Sequence, residues 1–194
     1  MKHAMKHLSW KTTKRKKVHD CRIFDIYEVD RIAQDGRKGT FIQIDAPDWV
    51  TVIPLTRDQF GNRCFMMVKQ YRHGNESITV EFPAGTVEKD ELPKHAAFRE
   101  LLEETGCRPS RLIKIGDVSP NPAFLTNTVT YYVAEELEFI QQQSLDEHEM
   151  IDIELIPVNE VLHAMGTGEY DNGVMVAALE FYVRWRGLVR DLRD

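Results

Sequence analysis

No stretch limits the fold as strongly as residues 85–106, GTVEKDELPKHAAFRELLEETG. It reads as a short loop followed by a helix. Proline suits a helix's first turn, where its missing N–H is not needed, so Pro93 marks the start. Asp90 and Glu91 stand where the positive end of the helix dipole favours carboxylates, and Asp90 is the expected N-cap. Gly106 follows the last helical residue, a position at which glycine commonly ends a helix. At about 100° per residue, Phe98, Leu101, Leu102 and Thr105 share one face, and Glu100, Glu103 and Glu104 share an arc of roughly 100° on the other. Ala96 and Ala97 flank the acidic side and are small enough to let other groups approach.

Three carboxylates on one helical face repel each other. A solvated acidic face is the plain reading. A bound cation is the alternative, and oxygen ligands favour hard ions such as Mg²⁺ or Mn²⁺. The wider spacing decides between them. Gly85, five residues, Glu91, seven residues, Arg99-Glu100, an apolar residue, one free position, Glu103-Glu104, one free position and Gly106 form a pattern of seven specified residues. At ordinary residue frequencies a chance match is below roughly one in a million. With this pattern complete, the sequence resembles the Nudix hydrolase family. Cys107 stands where that family usually has an aliphatic residue, and cysteine packs as a small hydrophobe.

The remaining bounds come from composition. A length of 194 residues suits one domain with a small appendage, and 42% hydrophobic with 29% charged residues is that of a soluble globular protein. The net charge of −6 speaks against non-specific nucleic-acid binding. It leaves an anionic substrate open, since a metal supplies local positive charge. Cys21, Cys64 and Cys107 have neither disulfide nor zinc spacing, which points to a reducing cytoplasm. No apolar run reaches membrane-spanning length, and the N-terminus lacks the apolar core of a secretion signal.

Taken in order, residues 1–18 carry Lys2, Lys6, Lys11, Lys14, Arg15, Lys16 and Lys17 and read as a solvated, partly mobile arm. The alternative is an arm attracted to phosphate or to an acidic neighbouring subunit. Trp10 within it is either an anchor or a surface for stacking a base. Residues 21–32 are β-prone, 35–36 signal a turn, and 40–44 alternate as a hairpin partner. Further strands are expected at 49–55 and 64–70, with a turn at 59–62. Beyond the acidic helix come strands at 112–118, 129–133 and 150–157, a rigid loop at 119–123, a polar, mobile run at 141–144 and an acidic loop at 145–149. Helices at 159–165 and 171–192 close the chain. The predicted organisation is a β-rich arm for dimerisation or substrate over residues 1–48 and a hydrolase domain over 49–194. The predicted class is α/β, an α/β/α sandwich with a mixed sheet.

Arg72, at the end of a strand shortly before the acidic helix, suits bidentate contact with phosphate or carboxylate. Gly85 is expected to turn the backbone sharply and leave the Ala84 carbonyl facing a metal. Arg99 points about 100° from Glu100, off the centre of the acidic face. Glu100, Glu103 and Glu104 would hold one to three Mg²⁺ ions, which suits a diphosphate substrate. The residues alone leave the base open: Glu103 in the helix, or Glu147 or Glu149 from the late acidic loop.

Residues 68–72 (VKQYR), 81–85 (EFPAG), Pro120 and Pro122, residues 146–149 with Ile151, and the late helix opening at Asp171-Asn172 are similar to the ADP-ribose and nucleoside-diphosphate-sugar pyrophosphatase branch of the Nudix family. That resemblance implies several roles. Glu147 positions or deprotonates the attacking water, and Glu149 joins the metal ligands. Arg99 orients Glu91 through an ion pair. Arg72 and Glu81, with Trp10 and Trp49 as loosely matching aromatics, serve the substrate. A homodimer built through the N-terminal sheet is also implied. The chain departs from the ADP-ribose pattern at Ala123-Phe124-Leu125-Thr126, which widens the expected range to other nucleotide sugars. Two other functions compete: hydrolysis of nucleoside triphosphates or dinucleoside polyphosphates, and nucleotide sensing without catalysis.

Overall fold

The computed structural model describes residues 6–188, in two units. Lys2 and the predicted helix end at Leu192 lie outside the described residues.

The smaller unit, Met1–Pro47 with Ser119–Thr128, is an antiparallel sheet of β1 (Trp10–Asp20), β2 (Asp25–Ala33) and β3 (Lys38–Asp45), in that order. The β2–β3 hairpin is the one read from sequence, and Gly36 supplies its turn at φ +88°. The basic arm departs from expectation. From Trp10 onward it is not a free arm but strand β1, paired with β2 from Trp10–Ala33 to Asp20–Asp25. Two of its positive charges find partners on the other strands of the sheet: Lys17 meets Asp25 at 2.6 Å and Arg15 meets Asp45 at 2.7 Å. Trp10 packs edge-on against Phe41, with ring centroids 5.4 Å apart. The 119–128 segment docks on the end of β3, where Ile44 N–H donates to Phe124 O and Thr126 N–H to Ile44 O.

The larger unit, Asp48–Val118 with Val129–Asp194, is built on a mixed seven-stranded sheet. Its strands are β4 (Trp49–Arg57), β5 (Arg63–Arg72), β6 (Ser77–Glu81), β7 (Ala84–Thr86), β8 (Cys107–Val118), β9 (Val129–Phe139) and β10 (Ile151–Pro157). The order is β10-β5-β4-β9-β8, with β6 on β5 and β7 on β4. Among the described strands of this sheet, only β4 and β9 pair in parallel. Alternation along the central strands puts residues on opposite faces. Val50, Val52, Tyr132 and Ala134 pack with Ala96, Ala97 and Leu101 of α1 (Pro93–Thr105). Ile53, Tyr131 and Val133 pack with α2 (Val158–Ala164) and α3 (Gly173–Trp185). The predicted α/β/α arrangement with a mixed sheet is therefore the observed one.

Several details differ from the sequence reading. Asp90 is not the N-cap. It lies at φ +66°, and Leu92 caps α1 without a side-chain bond. Ala96 and Ala97 are core residues, packed tightly under the sheet. Strands β6 and β7 were not foreseen, and β8 begins at Cys107 rather than 112. Helix α3 stops at Trp185, and Gly187 follows at φ +67°. All three cysteines are free thiols, and no helix of the described residues is long and apolar enough to cross a membrane.

Candidate active site

The site begins where β7 crosses under α1. Gly85 does not turn sharply, as the sequence suggested. It sits within β7, paired with Val50 of β4. Glycine is needed there for space, because a Cβ on Gly85 would collide with the carboxylate of Glu100. The colliding group is the end of a flexible side chain, so the fold tolerates its displacement while the site does not. Gly85→Ala will shift the melting temperature by only about 2 °C and lower turnover about tenfold or more by moving Glu100. Thermal melts and kinetics on one preparation check both halves.

The three glutamates of α1 occupy different surroundings. Glu104 is 3% exposed, and the Ala84 N–H donates to its Oε2 at 3.2 Å. Burial pushes its carboxyl well above the usual range, and the charges of Glu100 and Glu149 add to the shift. Burial raises Glu100 too, against the opposing pull of Arg99. Glu103 is more exposed. Arg99 reaches further onto the acidic face than its helical angle implied. Its Nη1 donates to Glu100 at 2.8 Å and Glu103 at 3.1 Å, while Nε and Nη2 grip Glu91 at 3.1 and 3.0 Å. A long side chain spans an arc that Cβ positions alone do not. The Glu91 carboxyl is held low by these hydrogen bonds, and Arg99 is raised in turn.

Next to Gly85 lies a cavity of about 430 Å³, walled by Trp49, Thr51, Arg72, Ala84, Asn172 and Met175 among others. Arg72 crosses to Glu81 in a fork, Nε to Oε1 at 2.9 Å and Nη2 to Oε2 at 2.5 Å. Glu81 is fully buried and accepts a further bond from Thr79 Oγ1 at 2.6 Å. Burial alone would raise its carboxyl, but Arg72, Thr79 and Asn172 together bring it below the usual value. Arg72 thus does two things: it satisfies a buried acid and presents its remaining donors to the cavity.

The late loop is held against the helix. Ser144 N–H donates to Glu103 O at 2.9 Å, and Gln143 Nε2 donates to Glu104 O at 2.6 Å. These bonds use carbonyls at the helix end that lack intrahelical partners, so the polar run 141–144 is tethered rather than free. Glu149 accepts from Asp146 N–H at 3.1 Å, and its charge acts on Glu100, Glu104 and Arg72. Glu147 is exposed on the same loop. Trp10 belongs to the smaller unit, on β1.

Sequence reasoning missed Thr51 and Asn172 as cavity residues. Thr51 is buried, and its hydroxyl has no hydrogen-bond partner among the described residues. Nothing in its local sequence marks it, since a threonine in a strand is ordinary. Asn172 caps α3 by accepting from Val174 N–H at 2.9 Å and also supports Glu81. It was visible only as a helix start.

A mixed sheet between helices, with glutamates at i, i+3 and i+4 on the helix behind a glycine strand, defines the Nudix class of fold and site. The chain belongs to the NUDIX family, whose domain model matches residues 47–178. It is 30% identical over 178 residues to the ADP-ribose pyrophosphatase of Bacillus subtilis, covering 91% of this chain and 94% of that one. It is 30% identical over 169 residues to the methanol dehydrogenase activator of Bacillus methanolicus, covering 86% and 89%. Among solved structures, an ADP compounds hydrolase superposes with a TM-score of 0.80 at 22% identity, covering 94% of this chain and 97% of that one.

The residues fit a divalent cation. The donors are hard oxygens, and Glu104 and Glu100 are carboxylates whose burial penalises their charge. Among the described residues no three acidic, histidine or cysteine side chains surround one point. Glu100 and Glu103 are drawn to Arg99, and Glu104 to Ala84 N–H.

Proposed function

We propose that this chain hydrolyses the pyrophosphate bond of a nucleoside diphosphate sugar, ADP-ribose or a related compound, to a nucleoside monophosphate and a sugar phosphate. The observation that carries this reading is the continuity between cavity and acidic helix. Gly85 lines the cavity and touches the Glu100 carboxylate, so a substrate lying along β7 brings its phosphates to the glutamates. The names of the relatives agree.

Glu100, Glu103, Glu104 and Glu149, with the Ala84 carbonyl, would hold Mg²⁺ or Mn²⁺. That ion supplies charge neutralisation of the diphosphate and a more acidic water. Arg72 binds a phosphate or the ribose-linked diphosphate through its outward donors. Trp49 offers an apolar wall of the cavity, against which a nucleobase can stack. Arg99 fixes Glu91 and steadies Glu103 without transferring a proton. Glu147 takes a proton from the attacking water as its oxygen bonds to phosphorus. The P–O bridge breaks, and the proton ends on the released phosphate. Glu103 is the alternative base.

The test is purified protein with Mg²⁺ or Mn²⁺ and ADP-ribose, GDP-mannose, ATP and a dinucleoside polyphosphate, with products resolved by chromatography. Cleavage of the sugar nucleotides at the diphosphate is expected. No turnover of any sugar nucleotide would remove the reading. Glu147→Gln is expected to keep the metal-dependent rise in melting temperature and lower kcat about 100-fold, the size of a general-base contribution. An unchanged kcat moves the base to Glu103.

The smaller unit supports a homodimer. Strand β1 is an edge exposed along its whole length, and such edges invite pairing with another chain. Light scattering with size exclusion reads the mass directly. The free thiols agree with a cytoplasmic setting.

A further inference from the structure

The β4–β5 hairpin places two arginines opposite each other. Arg57 and Arg63 are register partners across the antiparallel pair. Like charges in that position weaken a sheet. The nearest acid in sequence does not relieve them. Asp58 is used inside the turn, where its carboxylate accepts from Phe60 N–H, Asn62 N–H and Asn62 Nδ2 at 2.8–2.9 Å. Arg57 Nη1 donates to the neutral carbonyl of Gly61, and the Arg63 guanidinium has no ion-pair or hydrogen-bond partner among the described residues.

Two more arginines reach the same place. Arg111 from β8 and Arg186 from the end of α3 line, with Arg57 and Arg63, a cavity of about 490 Å³. Arg111 is matched by Glu135 at 2.9 Å. Arg186 lies 5.7 Å from the Trp185 ring, with no carboxylate partner among the described residues. Among the described residues the cavity's other acid is Glu136, so three guanidiniums without an ion pair share one carboxylate. Arg63, Arg186 and the buried Tyr182 also wall an adjoining cavity of about 420 Å³, so the basic surface continues past the first hollow. Both arginine charges act on the Tyr182 hydroxyl. All of this lies at the C-terminal end of β4. The Nudix cavity lies at Trp49–Thr51, about 20 Å away by strand rise.

We propose that this arginine-lined cavity is a second binding site, separate from the hydrolytic one, for a small molecule carrying a phosphate group. Guanidinium forks match phosphate oxygens bidentately. The volume lies in the range of small-ligand pockets. An anion there removes the repulsion that the unliganded hairpin carries between Arg57 and Arg63.

The experiment is calorimetric titration of the full chain in EDTA with inorganic phosphate, AMP and adenosine, with sodium chloride at matched ionic strength as the blank. Phosphate and AMP bind and adenosine does not. AMP equal to phosphate makes the phosphate alone the ligand, and tighter AMP makes it a nucleotide. Arg63→Gln and Arg186→Gln each weaken phosphate binding about tenfold or more, the loss expected for a charge-assisted contact. Glu104→Gln leaves it unchanged. Arg63→Gln also melts at or above the wild-type temperature without phosphate, which shows that lost binding is not lost folding. Phosphate heats no larger than those of chloride, or binding indifferent to both arginine substitutions, would overturn the proposal.

Discussion

Glu104→Gln will lower turnover at least about 100-fold, a loss of roughly 2.7 kcal/mol in the barrier, and will raise the melting temperature measured in EDTA. The two effects share one cause. Glu104 is a buried carboxylate with a single N–H donor, and burial and the neighbouring Glu100 charge both work against its ionisation. An acid whose folded-state pKa is raised costs stability above its unfolded value, and the cost eases as pH falls toward that value. Glutamine keeps the shape, and its amide oxygen still accepts from Ala84 N–H, but the buried charge is gone. In a chain of this size 1 kcal/mol relieved appears as about 2–4 °C. The charge that destabilises the metal-free protein is the one a divalent cation needs. Added Mg²⁺ will therefore raise the melting temperature of the wild type, by linkage, and raise it far less in the variant. Melting curves at pH 7 with EDTA and with Mg²⁺, beside kcat, check all three statements. A variant that melts lower in EDTA would mean that Glu104 is a structural acid whose charge the fold requires.

The legible parts of this chain were those in which side-chain chemistry repeats with the backbone's period. Helix α1 announced itself through Pro93, Gly106 and the glutamate spacing, and the β2–β3 hairpin through Asp35-Gly36 between alternating strands. Strand β1 was not legible because all eleven of its residues are exposed, so no apolar alternation exists to be read. Strands β6 and β7 were too short, and β7 is glycine-bearing for a reason that lies fifteen residues on, in Glu100. Asp90 looked like a cap because residue type alone favours it. Its left-handed backbone instead lets Glu91 receive Glu88 N–H and Arg99. In the site, the glutamates were placed by spacing, whereas Thr51 and Asn172 depend on which strand and helix end meet at the cavity. The Glu81–Arg72 pair lies between these cases. Both residues were singled out, but their mutual contact is not a register pairing: Arg72 stands opposite Ser77 and Glu81 opposite Val68, and the long guanidinium side chain reaches back along the β5–β6 ladder to the acid.

That pair gives the largest expected loss of stability. Arg72→Met will destabilise the fold by about 3 kcal/mol, the low end of the range for orphaning one member of a buried ion pair. The low end applies because the Arg72 side chain is 41% exposed and water screens part of its charge, while Glu81 is fully buried and cannot be rehydrated in place. The sign of the pH dependence separates this from simple loss of packing. In the wild type the Glu81 carboxyl lies below its ordinary value, because the Arg72, Thr79 and Asn172 contacts outweigh burial. Its contribution is present above the unfolded value near pH 4.5 and disappears as pH falls through the lower folded value. Without Arg72, burial dominates and lifts the folded value above the unfolded one. The same carboxyl then costs stability at pH 7, and that cost shrinks on acidification toward the unfolded value. The difference in unfolding free energy between wild type and Arg72→Met should therefore narrow from pH 7 to pH 5 in urea titrations. A gap that stays constant across that range would mean that Glu81 keeps its charge stabilised by Thr79 and Asn172 alone, and that Arg72 serves the cavity rather than the acid beneath it.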